Sequence, residues 1–251
     1  MALLVSWFSI PLAIAIIALS HALILFPTLR PNSQWLGPVV TNFATEQNEL
    51  WLTIDDGPDP DDTVRILDLL DNYQARATFF VKGERVRRFR EAAEAVLSRG
   101  HQLGNHSHTH PSGSFWCLPK SRIAAEIDNC NRAIAELSSE PSRVPLFRAP
   151  VGFKNPFVHP LLQSREMTLI GWSARGFDGV RTDRESIVRR IVRDVRPGSI
   201  ILAHEGRRDS SGESLNYAVI EELLATLSAA GFTFVVPEPS RFVYGRAKTK
   251  R

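Results

Sequence analysis

Three histidines occur within five residues in the segment NHSHTHP, residues 105–111. His106 and His110 are four residues apart, a spacing at which two imidazoles on one short stretch of backbone can approach the same cation. His108 lies between them and is expected to point elsewhere. A metal that takes part in hydrolysis needs a third protein ligand and an open position for water. The alternative interpretation of this segment is a solvated polar loop.

The segment LTIDDGPDP, residues 52–60, could supply the third ligand. Its two adjacent carboxylates, Asp55 and Asp56, directly follow a short apolar run. Because consecutive side chains at a strand end diverge, one carboxylate could bind the metal while the other acts as a general base. The alternative is an Asx turn or a helix cap. Together with the histidines, the pair predicts a hydrolytic metal site.

These polar residues follow predicted strands of a parallel sheet. Short β-rich runs alternate with stretches of helical apolar spacing, which predicts an α/β fold. The runs are LWLTID, ARATFFV, HQLGNH, PLFRAP, MTLIGWS, SIILAHE and FTFVVP. For a chain of 251 residues, closure into an irregular barrel is favoured over an open doubly wound sheet. No GxGxxG or P-loop sequence follows a strand, which argues against nucleotide binding.

In a parallel barrel the active site is built at the carboxyl ends of the strands. Asp55 and His106 follow the first and third predicted strands, and Arg148 and His204 follow the fourth and sixth. We therefore expect these four side chains to converge at one end of the barrel.

Four motifs in this order resemble those of the polysaccharide deacetylases of the NodB-homology type, carbohydrate esterase family 4. The matching segments are Thr53-Ile54-Asp55-Asp56-Gly57-Pro58, His106-Ser107-His108-Thr109-His110, Arg148-Ala149-Pro150-Val151-Gly152 and Leu202-Ala203-His204. The resemblance covers about residues 48–237. It implies an irregular parallel (β/α)7 barrel, NodB-like and related to the TIM barrel.

The resemblance also implies a division of labour among the matched residues. Asp56, His106 and His110 would bind a divalent metal, most often Zn²⁺, with Co²⁺ or Ni²⁺ as alternatives. Asp55 would be the base that takes a proton from metal-bound water, and His204 the acid that protonates the departing sugar amine.

Two further roles follow from the same resemblance. Arg148 would hold Asp55 by a charge-assisted hydrogen bond, and the backbone N–H of Val151 would stabilise the oxyanion together with the metal. Leu202, in the last motif, and Trp172 are expected to contribute to the substrate side of the site.

The fourth motif of the family, D-x-x-D-W after a strand that carries a tryptophan, is only partly kept in GWSARGFDG, residues 171–179. Trp172 is retained, and Asp178 can still orient the catalytic histidine. Arg175 stands at the first acid and Gly179 at the final tryptophan. A cation at the rim would suit an anionic ligand; alternatively, Arg175 merely solvates a loop.

The activity implied is that of a metal-dependent deacetylase acting on carbon–nitrogen amide bonds, of the chitooligosaccharide or peptidoglycan type. It would remove N-acetyl or N-formyl groups from an amino sugar in an envelope polysaccharide or a lipid-linked saccharide. The alternatives are an O-acetyl esterase on the same site and a catalytically inactive saccharide-binding relative. A nucleic-acid partner is not expected, because the basic residues are scattered and the net charge is only +3.

Residues 1–28 contain no Asp, Glu, Lys or Arg and are long enough to cross a hydrocarbon core. An uncleaved anchor in the cell membrane is favoured over a signal peptide, because no basic residue precedes Arg30. The side of the membrane is left open, since one arginine decides little. The predicted divisions are an anchor or signal at 1–28, a linker at 29–47, the deacetylase domain at 48–240 and a basic tail at 241–251.

Other residues carry weaker signals. Cys117 and Cys130 have no metal-ligand spacing and are expected to be buried thiols, with a single disulfide as the alternative. Trp116 and Phe153 are predicted to overhang the site, where they would either stack on a sugar ring or pack the barrel top.

Overall fold

The computed structural model describes residues 10–137 and 144–245. Its helices are α1 Ile10–Thr28, α2 Asp62–Asn72, α3 Gly83–Arg88, α4 Arg90–Ser98, α5 Lys120–Ala135, α6 Val158–Gln163, α7 Arg184–Asp194 and α8 Leu215–Ala229. Its strands are β1 Val40–Phe43, β2 Glu49–Asp55, β3 Ala77–Val81, β4 Gln102–Asn105, β5 Leu146–Phe147, β6 Thr168–Leu169, β7 Ala174–Arg175, β8 Ile200–His204, β9 Thr233–Phe234 and β10 Phe242–Tyr244.

Seven parallel strands form a curled sheet in the order β6-β5-β4-β3-β2-β8-β7, and β9 pairs with the start of β2. The register places Asp55, the last residue of β2, directly opposite His204 on β8. The path has edges at β6 and β7, and a bridge from Val40 to Ile170 brings β1 against the end of β6. The prediction of a parallel barrel-like sheet is therefore confirmed.

The central strands are apolar along most of their length because helices cover the sheet. All five residues of β3 are buried. Helix α2 buries Ile66, Leu67 and Leu70, which recur at helical spacing on its inner face. Each such large apolar side chain contributes about 1.5–3 kcal/mol when it is fully removed from water. The same sheet that carries the core thus fixes where its polar strand ends lie.

Several short elements were not predicted from the sequence. Residues 29–47 were expected to have little structure, but Val40–Phe43 form β1, which pairs antiparallel with Phe242–Tyr244 in β10. Trp51 stacks on Phe242 at 5.5 Å, which ties this ribbon to the barrel. The domain boundaries stay predictions. Most of the predicted basic tail, residues 246–251, lies outside the described residues, as do residues 1–9.

The cysteine prediction was half wrong. Cys130 is buried in α5, but Cys117 is exposed and neither is in a disulfide. Cys117 lies in a 3-10 turn, Phe115–Cys117, and that turn buries the Phe115 side chain instead.

Helix α1 is apolar but buries little of itself: Ala13, Pro27 and Thr28 are its buried residues. Among the described residues it is the single helix long and apolar enough to cross a membrane, a property that a signal sequence shares. The chain that leaves this helix is held to the barrel, because the Lys154 ammonium donates hydrogen bonds to the carbonyls of Arg30 and Pro31.

Candidate active site

A cavity of about 580 Å³ opens at the carboxyl end of the sheet. The side chains that the motifs single out converge on it from separate strand ends. Its wall includes Asp55, Asp56, His106, His110, Val151, Trp172, Asp178, Leu202 and His204. Arg148 lies behind this wall, fully buried. The predicted convergence of the strand ends is therefore found in the structure.

Asp56, His106 and His110 form the candidate metal centre. One ligand atom from each lies within 4.8 Å of the other two. The two Nε2 atoms are 3.1 Å apart, and His110 Nε2 is 3.5 Å from Asp56 Oδ1. Asp56 and His110 both have positive φ, 79° and 52°, and sharp turns at these positions aim both side chains at one point.

The donor set fits a divalent cation. Asp56 Oδ1 is buried and accepts no hydrogen bond from a described residue, although Lys82 Nζ lies 3.3 Å away. His106 Nδ1 is 2.8 Å from the Arg148 carbonyl, which fixes the N–H on Nδ1 and leaves Nε2 as the ligand atom. Two imidazole nitrogens and one carboxylate oxygen are the set that catalytic zinc sites use beside an open position.

The protonation states of the three residues also suit metal binding. Burial lowers the pKa of His106 and of His110 to about 4, so both imidazoles are neutral at pH 7, as metal ligands must be. Burial by itself would raise the pKa of Asp56, but the two imidazoles and Lys82 bring that pKa well below its usual range. Asp56 is therefore ionised.

Asp55, beside the candidate metal centre, is buried. Its Oδ1 accepts a hydrogen bond of 2.7 Å from Arg148 Nη1, and its Oδ2 lies 3.6 Å from His106 Nε2. Burial raises the pKa of Asp55 while the Arg148 charge opposes the rise. A carboxylate made more basic in this way is suited to accept a proton near neutral pH.

Arg148 is among the largest fully buried side chains of the described residues, and it carries a charge. Its guanidinium donates to Thr53 Oγ1, to Asp55 and to the carbonyls of Ile170 and Gly171, and it lies 4.2 Å from the centre of the Phe80 ring. Each of its three nitrogens donates at least one hydrogen bond and the side chain is fully buried, so Arg148 fixes the Asp55 side chain rather than reaching substrate.

Replacing Arg148 with Met is expected to lower the free energy of unfolding by about 3–5 kcal/mol, because it leaves the Asp55 carboxylate buried without its partner. Urea denaturation of the variant would measure this. A loss below about 1 kcal/mol would mean that Asp55 is not held as an ion pair in solution.

His204, the neighbour of Asp55 on the adjacent strand, pairs with Asp178. Its Nδ1 lies 2.9 Å from Asp178 Oδ1, and its backbone N–H donates to Asp178 Oδ2 at 2.8 Å. Burial would lower the pKa of His204, but the charge and hydrogen bond of Asp178, with Asp55 and Asp56 nearby, raise it to about 9. His204 is therefore protonated at neutral pH and can act as a general acid.

The variant Asp178→Asn is expected to move the alkaline limb of the pH profile of kcat to lower pH. Activity that needs protonated His204 is lost as the pH rises through the pKa of that imidazole. Without the Asp178 charge burial dominates, so that pKa should fall by about one unit or more. The profile from pH 6 to 10 tests this, and an unchanged alkaline limb would separate Asp178 from the protonation of His204.

The segments Arg148–Gly152 and Leu202–His204, which match two of the family motifs, also reach the cavity. Val151 adopts φ 58° and is 46% exposed there. For a β-branched residue this left-handed backbone costs on the order of 1–3 kcal/mol, a strain that is typical of functional sites. Leu202 is buried beside Thr53 on the paired strand, and Trp172 forms part of the floor.

The altered fourth motif opens the site. A Cβ atom on Gly179 would lie 3.4 Å from His204 Cε1, so this glycine leaves one face of the imidazole uncovered. Arg175 lies over the Phe177 ring at 4.0 Å and over Trp172 at 5.3 Å, which puts a cation in the cavity wall. Phe153 lines the same cavity, whereas Trp116 is not among its lining residues.

One buried acid next to the site, Glu205, was not predicted from the sequence. Glu205 is buried directly after His204 and accepts a hydrogen bond from Thr63 Oγ1, and burial, with Asp59 and Asp62 nearby, raises its pKa to about 8. A Cβ on Gly57 would come within 1.6 Å of Glu205 Oε1, which explains the glycine in this motif. The sequence did offer one indication of Glu205, because this residue directly follows His204, the candidate for the catalytic acid.

Comparison with known proteins decides the family. The family model described as polysaccharide deacetylase matches residues 43–170. The chain belongs to the polysaccharide deacetylase family. The resemblance seen in its motifs is thus confirmed.

Relatives of this polysaccharide deacetylase family member align over most of its length. It is 32% identical over 209 residues to a peptidoglycan-N-acetylglucosamine deacetylase of Bacillus cereus, covering 82% of this chain and 94% of the relative. It is 31% identical over 200 residues to a chitooligosaccharide deacetylase of Sinorhizobium fredii, covering 77% and 92%.

A solved structure is similar as well. It is a mutant of a family 4 carbohydrate esterase pseudoenzyme from Bacillus anthracis, described as having restored enzymatic activity. The TM-score is 0.67 at 25% identity, covering 77% of this chain and 67% of the other.

Proposed function

We propose that this chain is a divalent-metal-dependent hydrolase that removes N-acetyl, or N-formyl, groups from an amino sugar. One observation carries the proposal. The Asp56-His106-His110 cluster shares a single cavity with a buried carboxylate, Asp55, on one side and an imidazolium, His204, on the other. A saccharide-binding protein has no need of both an acid and a base beside a metal cluster.

The proposed reaction uses each of these groups once. A divalent metal held by the cluster would lower the pKa of a water molecule and polarise the amide carbonyl. Asp55 accepts a proton from the attacking water, and Arg148 keeps its carboxylate in place. The Val151 N–H donates to the oxygen that gains negative charge. His204 then gives its proton to the sugar nitrogen as the C–N bond breaks, which releases a carboxylate and a free amine.

The substrate is an amino-sugar-containing glycan or glycolipid. The named activities of the two curated relatives support an N-acetylated sugar. We propose zinc as the metal, with cobalt or nickel as substitutes, and an uncleaved α1 that anchors the protein in the cell membrane.

A product assay on the full-length chain in detergent tests the reaction. N-Acetylglucosamine oligomers, peptidoglycan fragments and an N-formylated amino sugar would each be incubated with the protein, and carboxylate and primary amine would be quantified together. Equal amounts of the two products are expected. Asp55→Asn, prepared identically, controls for contaminating enzymes.

Two results would contradict the proposal. Acetate release from O-acetylated sugars alone would identify an esterase. Saccharide binding without release of either product would identify an inactive binding relative.

A further inference from the structure

A second cavity, of about 770 Å³, lies between the end of α1 and helix α7. It is strongly basic. Four arginines and one carboxylate line it: Arg30, Arg175, Arg190, Arg193 and Asp194. We call it the arginine cavity. Its wall shares residues within 172–177 with the altered fourth motif, and none of the residues given a step in the proposed reaction belongs to it.

Most of this positive charge is not in ion-pair contact with a carboxylate of the described residues, and the single acid, Asp194, is shared by Arg193, Arg190 and Arg196. Arg193 is paired with Asp194 at 2.8 Å. Among the residues that the structure describes, no carboxylate lies within ion-pair distance of Arg30, Arg175 or Arg190. Such a cluster costs free energy unless an anion neutralises it.

The three unpaired guanidiniums are held by aromatic rings instead. Arg30 lies 4.3 Å from the centre of the Phe26 ring, and Arg175 and Arg190 lie 4.0 and 5.8 Å from that of Phe177. Stacking positions a guanidinium and leaves its N–H groups for a ligand. A planar fork of this kind matches a phosphate group better than it matches an uncharged sugar.

The arginine cavity lies where a membrane surface would be if α1 spans. Phe26 is in the last turn of α1, and its ring contacts that of Trp35, which is 66% exposed, at 5.5 Å. Aromatic residues with an arginine at the end of an apolar helix are typical of the membrane–water interface. With α1 across the membrane, the cavity would open at the level of lipid headgroups.

The arginine cavity also adjoins the catalytic cavity. Pro31, Trp172, Arg175 and Phe177 line both, and Leu29, the first residue after α1, lines the catalytic one. A ligand could thus reach from the end of the membrane helix to the Asp55–His204 site. A polymer of neutral sugars would leave the arginines unused.

We propose that the arginine cavity binds the phosphate of a lipid-linked amino sugar, so that the sugar enters the catalytic cavity while the lipid chain stays beside α1. The fate of the sugar rests on the proposed deacetylation and the position of the lipid chain on the proposed membrane anchor, but binding of a phosphate by the arginines rests on neither. The class of reaction that supplies this substrate is transfer of an N-acylated amino sugar onto a lipid phosphate.

Binding of farnesyl phosphate to the full-length chain tests the phosphate site without turnover. The protein is kept in dodecyl maltoside micelles, which carry no phosphate, and titrated with farnesyl phosphate, farnesol or inorganic phosphate. Farnesyl phosphate is expected to bind at least about tenfold more tightly than either of the others, because it alone supplies both the charged group and the apolar chain.

The variant Arg190→Ala should weaken farnesyl phosphate binding by about tenfold or more, as expected for a lost charge-assisted contact. Arg189→Ala is the matched control, because Arg189 is exposed on the same helix and pairs with Glu185 instead. Its affinity should equal that of the unaltered chain. Both variants should release acetate from neutral N-acetylglucosamine oligomers at the unaltered rate.

Three results would overturn the proposal. Farnesol could bind as tightly as farnesyl phosphate, inorganic phosphate could bind as tightly as farnesyl phosphate, or Arg190→Ala could bind farnesyl phosphate with the affinity of the unaltered chain. Displacement of farnesyl phosphate by an equal concentration of phosphatidylglycerol would also overturn it, by assigning the cavity to bulk lipid. A chain that binds farnesyl phosphate but deacetylates nothing would keep the phosphate site and reject the catalytic proposal.

Discussion

Replacing Asp55 with Asn is expected to reduce kcat for deacetylation by about 10²- to 10⁴-fold, the range for a lost general base. Asparagine has nearly the same shape and can still accept the hydrogen bond of 2.7 Å from Arg148. It cannot accept a proton from water. The fold of the site should therefore survive while its chemistry stops.

Metal content separates this role from that of the adjacent carboxylate. The Asp55→Asn protein should bind about as much metal as the unaltered chain, because Asp55 is outside the three-residue cluster. Asp56→Asn, the matched variant one residue later, should lose metal and activity together. Loss of metal from Asp55→Asn instead would move the ligand role to Asp55, and retained kcat would reject it as the base.

Replacing His204 with Ala is expected to lower kcat on an N-acetylated sugar by about 10²-fold or more. An amine is a poor leaving group unless it is protonated as the C–N bond breaks, and we propose the imidazolium of His204 as the proton donor. Steady-state kinetics near pH 7.5 would measure the loss, since His204 has a pKa of about 9 and is protonated there.

An activated ester distinguishes the acid role from a structural one. 4-Nitrophenyl acetate has a leaving group that departs without a proton, so the defect of His204→Ala should shrink strongly on this substrate. An equal defect on amide and ester would mean that the substitution damages the site as a whole. An undiminished kcat on the amide would remove His204 from the mechanism.

Much of the architecture could be predicted from the sequence. The seven β-rich runs correspond to β2, β3, β4, β5, β6, β8 and β9, because fully covered strands are near-continuous apolar segments. The longer amphipathic helices were predicted because their apolar residues recur at helical spacing. Gly100 and Gly231, with φ of 77° and 82°, follow α4 and α8 at the predicted stops.

The missed elements are short or depend on distant partners. Helices α3 and α6 have six residues each, too few for a period to show. Strand β1 exists because β10, some two hundred residues later, pairs with it. The residue types within β1 do not show which distant segment will pair with it, so this strand could not be predicted locally.

The site was predictable where its members sit at strand ends and carry unusual chemistry. The contacts that hold these residues in place could not be predicted. The stacking of Arg175 on Phe177 and the placement of Glu205 against Gly57 arise from loops that approach each other in space. The arginine cavity is of the same kind, because Arg30 and Arg190 are brought together only by the folded chain.

Metal content measured together with chelator-sensitive deacetylation tests the central claim most directly. The full-length chain would be assayed for bound zinc, cobalt and nickel, and then for acetate release from N-acetylglucosamine oligomers before chelation, after chelation and after metal is restored. We predict about one metal per chain, loss of release with the chelator and recovery with the divalent ion. Deacetylation that persists in metal-free protein would contradict the account.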